Sequence, residues 1–247
     1  VRIVGGGGGA GAGRESRKEA MAGLATGSSG GRWRGVARLV CDAGLLAARV
    51  LGLPRAVSAL RAPLLRRSAA AVALLLSGYG VSQGMAVPQP RQVEVVIKDL
   101  PAAFDGYRVL QLTDIHASRL LTGDWVRQVV AESNALKPDL IVITGDLIDG
   151  TVDARRDDFR PLGDLQAPDG VIAITGNHEY YAQYSDWMQA FRALRMQVLE
   201  NSHTQVRRGD AALTIAGVTD TVAARYGLRL PDLQAALAGA DPAAPVI

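Results

Sequence analysis

Three short stretches carry residues able to do chemistry: Asp114-Ile115-His116, Gly145-Asp146 with Asp149 following, and Gly176-Asn177-His178-Glu179. Carboxylates, an amide oxygen and imidazoles are hard donors of the kind that suit divalent metal ions. On an extended segment, residues i and i+2 point to one side, so the Asp114–His116 spacing predicts that both reach one ion. Gly145 and Gly176 permit sharp exits from the preceding segments and close backbone approach. A lone carboxylate such as Asp146 can bridge two ions, which two-metal phosphoryl-transfer sites hold about 3.5–4 Å apart. Taken singly, each stretch also reads as an ordinary turn, a helix cap or a satisfied histidine. Their order and common context make them one candidate site.

That context is a set of apolar runs of strand length. YRVLQLT (107–113), LIVIT (140–144) and VIAIT (171–175) each deliver one stretch at the carboxyl end. Between them, 124–136 and 185–196 carry apolar residues at helical spacing, with Trp187, Met188, Phe191 and Leu194 on one face of the second. VEVVI (93–97) reads as a further strand, and QVLE, HTQVRR and AALTIAGV as short strands around a turn at Gly209-Asp210. Buried strands alternating with amphipathic helices predict an α/β fold. In such sheets, ligands bind in the crevice outside the carboxyl ends of the strands.

Upstream the composition differs. Residues 1–67 hold twelve Lys/Arg against three Asp/Glu, whereas 68–247 hold fifteen against twenty-one. The basic balance therefore belongs to the N-terminal region and is poor support for a nucleic-acid partner, since the candidate site lies in the acidic part. Residues 1–33 are expected to be a disordered Gly-rich segment, because 1–31 contain eleven of the 28 glycines. Gly5–Gly9 is no phosphate loop, as no Gly-Lys-Ser/Thr follows. Residues 34–67 read as a basic amphipathic helical region broken at Pro54. The uncharged window 68–87, preceded by Arg66 and Arg67, is expected to be a transmembrane anchor with the basic side cytoplasmic. The single cysteine, Cys41, excludes an intrachain disulfide framework and a Cys-rich zinc site.

TDIH (113–116), TGDLID (144–149) and TGNHEYY (175–181) resemble, in the same order, the first three motifs of the calcineurin-like metallophosphoesterases. The flanks LPAAFDGYRVLQLTDIH and LKPDLIVITGDLIDG resemble the membrane-anchored bacterial branch, and the resemblance covers 92–247. It implies a β-sandwich flanked by helices and a centre of two divalent ions, drawn from Mn, Fe, Zn or Mg. Asp114 and His116 would bind the first ion, Asp146 would bridge both, and Asn177 would bind the second through its amide oxygen. His178 would face the scissile phosphate as the catalytic group, with Asp149 and Glu179 supporting the groups that ligate. The implied activity is hydrolysis of phosphomonoesters or phosphodiesters. An inner-membrane location is implied, with the catalytic domain on the extracytoplasmic side.

The departures set further expectations. The family closes its site with three more histidines, in an isolated His motif and a Gly-His-x-His motif. Here only His116, His178 and His203 occur, and His203 reads as a surface or loop residue between strands. The chain opens on Val1 and closes on Pro245-Val246-Ile247, which reads as a C-terminally truncated fragment. Weak metal binding and little hydrolysis are therefore expected of the chain as it stands. The competing expectation is a non-catalytic membrane scaffold on a degenerate phosphoesterase fold.

Overall fold

Alternation along three neighbouring strands decides the layering. In β3 (Arg108–Thr113), Leu110 and Leu112 join one apolar cluster while Val109 joins another. In β4 (Leu140–Thr144), Ile141 and Ile143 belong to the first cluster and Leu140 to the second. Ala173 and Ile172 of β5 (Val171–Ile174) divide in the same way. Successive side chains of a strand point to opposite faces, so a strand apolar on both faces must be covered on both.

The computed structural model of the chain describes residues 2–7, 43, 50–52 and 63–247. The protein divides into two compact units, one of Val1–Gly9 with Val87–Ile247, the other Ala10–Ala86. In the first unit the strands are β1 (Arg2–Gly7), β2 (Arg91–Glu94), β3, β4, β5, β6 (Gln197–Val198), β7 (Ser202–Arg208) and β8 (Ala211–Gly217). A six-stranded sheet has the order β2-β1-β3-β4-β5-β6, and β7 and β8 form a separate antiparallel hairpin. The pairings along β1-β3-β4-β5-β6 are parallel, and β2 is antiparallel to β1.

One face of the sheet carries α2 (Gly123–Ala135), α3 (Val152–Phe159) and α5 (Tyr184–Ala193), whose Val126, Phe159, Trp187 and Phe191 complete the first cluster. Burying an aromatic or aliphatic side chain of this size stabilises the fold by about 1.5–3 kcal/mol. The hairpin supplies Val206, Leu213 and Ile215 to the second cluster. The remaining helices of this unit are short: α4 (Asn177–Tyr181), between β5 and α5, and α6 (Leu233–Ala236) after β8. The arrangement is the α/β architecture that the alternating pattern predicts.

Several expectations need correction. Arg2–Gly7 forms a strand at the Gly-rich N-terminus, where composition predicts disorder; its backbone is paired on both sides, by β2 and β3. Glycine lacks a side chain to pack but retains both ladder groups, so neighbouring strands can recruit it. The rest of 1–33, Cys41 and nearly all of 34–62 lie outside the described residues. In the second unit, α1 (Pro63–Gly84) covers most of the window expected to span a membrane. Its second half is diluted by Gly78, Gly80, Ser82, Gln83 and Gly84, and Arg66 and Arg67 fall within its length. No helix among the described residues is long and apolar enough to cross a membrane. His203 is a residue of strand β7, where its ring Nδ1 lies 2.8 Å from the Ala236 carbonyl oxygen and so ties α6 to the hairpin.

Candidate metal centre

Beyond β3 and β4 the two exit loops run together. Main-chain N–H groups of Asp114, His116 and Ala117 donate to the carbonyls of Gly145, Asp146 and Leu147, and that of Asp149 donates back to Ala117. This ladder holds three non-glycine residues in the left-handed region: Asp114 at φ 54°, His116 at 46° and Asp146 at 53°. The extended Asp-x-His geometry expected from spacing is thus not the one adopted. Each left-handed residue costs about 1–2 kcal/mol, which the shared ladder must offset. Functional sites commonly store strain of this kind.

The turns bring together Asp114, His116, Asp146 and His178. His116 Nε2 lies 3.8 Å from Asp114 Oδ1 and 3.7 Å from Asp146 Oδ2. These separations are too long for hydrogen bonds. They are close to the spacing of two donors on one ion, about 3–3.5 Å when each is about 2.1 Å from the metal. Ligand atoms of His116, Asp146 and His178 all lie within 4.8 Å of one another. Asn177 begins α4 beside His178, and its amide nitrogen donates to the Tyr181 hydroxyl at 2.6 Å.

Asp149 stands behind both imidazoles. Its Oδ1 lies 2.8 Å from His116 Nδ1 and 2.7 Å from His178 Nδ1, and the two rings meet edge to face at 4.4 Å. An ionised acceptor at Nδ1 places the proton there and leaves the lone pair on Nε2, the usual support for a metal-ligating histidine. Burial raises the Asp149 pKa, but the bonds and charges of His116 and His178 outweigh it and hold the carboxyl well below the usual range. The loop is anchored from α5, where the Trp187 indole N–H donates to the Gly150 carbonyl at 3.0 Å. Trp187 reads from the sequence as a core residue only; nothing in the spacing pairs it with the Asp149 loop.

Glu179, fully buried, joins the β4 and β5 exits. Its Oε2 accepts from the N–H groups of Asp146 and Gly176, and its Oε1 from that of Leu147. Burial pushes its carboxyl up to about 7 against the lowering effect of these three donors. Asp146 is also pushed up by burial, while the His178 main-chain N–H, donating to its Oδ1 at 3.0 Å, and the two imidazoles oppose the shift.

A donor set of carboxylate and imidazole, with Nδ1 of each ring already engaged, fits a divalent cation. Replacing Asp149 by Asn removes the charge that both rings share. We expect Mn(II) affinity to fall by about 10–100-fold in calorimetric titration, with an unchanged affinity counting against this arrangement.

The family model for calcineurin-like phosphoesterase matches residues 107–229. A transmembrane protein with metallophosphoesterase domain from Danio rerio is 31% identical over 182 residues, 71% of this chain and 42% of that protein. The Bos taurus protein of the same name is 33% identical over 185 residues, again 71% and 42%. A metallophosphoesterase of Helicobacter pylori is 29% identical over 177 residues, 70% of this chain and 46% of its own. The chain thus spans less than half the length of these relatives. With its three strand-end motifs inside the matched region, the chain belongs to the calcineurin-like phosphoesterases.

Proposed function

We propose that the protein is a metal-dependent hydrolase of phosphomonoesters or phosphodiesters. The observation that carries this reading is the approach of His116 Nε2 to Asp114 and Asp146 while its Nδ1 is held by Asp149. Asp114, His116 and Asp146 would hold one divalent ion, and Asp146 with Asn177 a second. When bound, such ions stabilise charge on the phosphoryl oxygens and make a hydroxide nucleophile available near neutral pH.

Burial separates the two histidines. The His116 side chain is 8% exposed and that of His178 is 18%. We assign the deeper ring to the ion and the outer ring to the phosphate ester. Asp149, held ionised, stabilises a His178 imidazolium through Nδ1 and leaves Nε2–H to protonate the departing oxygen. Main-chain donation from His178 to Asp146 Oδ1 keeps this ring and that carboxylate in fixed register.

Membrane association is part of the proposal, supported by the names of the vertebrate relatives. The test measures Mn(II) binding together with turnover of p-nitrophenyl phosphate and bis-p-nitrophenyl phosphate. Asp146→Ala is expected to lower metal affinity and turnover by at least about 100-fold. Undiminished binding and turnover would reject the assignment.

A further inference from the structure

Asparagine ligates a hard cation only through its oxygen, yet its amide can present either end. Something must choose. Asn177 and Tyr181 are the first and last residues of α4, one helical turn apart, a spacing that puts two side chains on the same face. The Asn177 amide nitrogen donates to the Tyr181 hydroxyl at 2.6 Å. That bond turns the carbonyl oxygen away from Tyr181. The Tyr181 side of the bond is itself located, because its ring lies 5.1 Å from that of His178.

We propose that Tyr181 is a positioning residue whose hydroxyl engages the Asn177 amide nitrogen and thereby presents Oδ1 to a divalent ion. The inference rests on the metal-dependent reading above and adds to it a residue outside the ligand set. In free asparagine the two amide orientations interchange by rotation, and only one can ligate. In the structure the hydroxyl accepts from the amide nitrogen and so holds the productive one.

The experiment titrates Mn(II) into the full chain by calorimetry, with the EPR spectrum of the bound ion as a second readout. Tyr181→Phe keeps the ring beside His178 and removes only the hydroxyl. It is expected to weaken the Asn177-dependent Mn(II) binding by about 10-fold and to leave the thermal midpoint of the metal-free chain unchanged. A carboxylate has two equivalent oxygens and no wrong orientation. Tyr181→Phe placed on Asn177→Asp is therefore expected to change affinity by less than about 2-fold, which isolates orientation from packing in a double-mutant cycle.

Wild-type Mn(II) affinity in Tyr181→Phe, alongside weakened binding in Asn177→Ala, overturns the positioning role and leaves the metal site standing. Equal losses from Tyr181→Phe in the wild-type and Asn177→Asp backgrounds overturn it as well, since a structural effect would not depend on amide orientation. Wild-type affinity in Asp146→Ala overturns the metal-dependent reading itself and this inference with it.

Discussion

Glu179→Gln is expected to destabilise the metal-free protein by about 2–4 kcal/mol, read as a lower denaturant midpoint in equilibrium unfolding. Glu179 is 0% exposed and accepts the N–H groups of Asp146, Leu147 and Gly176, all at the exits of β4 and β5. Glutamine is nearly isosteric, but its amide nitrogen must face an N–H in place of an acceptor. One buried donor then loses its partner, and the new donor gains none. Each such loss costs about 1–3 kcal/mol, more where the acceptor was charged. Removing a buried carboxylate recovers part of this, because burial disfavours the ionised form and pushes its pKa to about 7. Glu179→Ala leaves all three donors unpaired and adds a cavity, so its loss should exceed that of Gln. A Gln variant within about 0.5 kcal/mol of wild type would mean that the carboxylate does not hold the two exits together.

Which parts of this were legible in the sequence follows from what each kind of residue reports. The β4 run was readable to the residue, Leu140–Thr144, because apolar character on both faces leaves a continuous signal. The helix expected at 124–136 occupies Gly123–Ala135, and the one expected at 185–196 occupies Tyr184–Ala193, since amphipathic periodicity marks position better than ends. Three consecutive strand ends carrying Asp, His and Asn marked a candidate site, and the structure brings Asp114, His116, Asp146 and His178 together there. Their geometry was not legible. Spacing treats Asp114 and His116 as extended, but the ladder with the β4 exit holds both left-handed, a tertiary constraint with no local signature.

The same limit applies elsewhere. Asp149 and Glu179 read as supports, yet one oxygen serving two imidazoles and one carboxylate serving three N–H groups depend on loops brought together from different strands. Arg2–Gly7 escapes a compositional reading because composition does not report the backbone pairing with β2 and β3 that defines its strand. For 68–87 the length was sufficient, but the glycines and Gln83 lower its apolarity. Length and hydropathy are independent requirements.

Gly145→Ala should be the more disruptive of two glycine substitutions at nearly equal positive φ. Gly145 has φ 94° and Gly170 has φ 92°, so alanine meets a positive-φ penalty at both. At Gly170 an added Cβ would have nothing within 4 Å, and only that conformational term, about 1–2 kcal/mol, applies. At Gly145 the Cβ would lie 2.2 Å from the Gly176 nitrogen and 2.5 Å from its Cα, both backbone atoms that no rotamer change can move. The β4 and β5 exits must then separate, which breaks the shared hold of Glu179 and shifts Asp146 against His178. We expect Gly145→Ala to lose at least about 3 kcal/mol of stability and to bind Mn(II) at least about 10-fold more weakly. Gly170→Ala should keep wild-type metal affinity. Equal destabilisation of the two variants would show that strain at the turn dominates; a difference with intact Mn(II) binding would show that exit spacing matters to folding but not to the ligands. The expected pattern, a difference in both, ties the close approach of two glycines to the placement of the Asp146 carboxylate beside them.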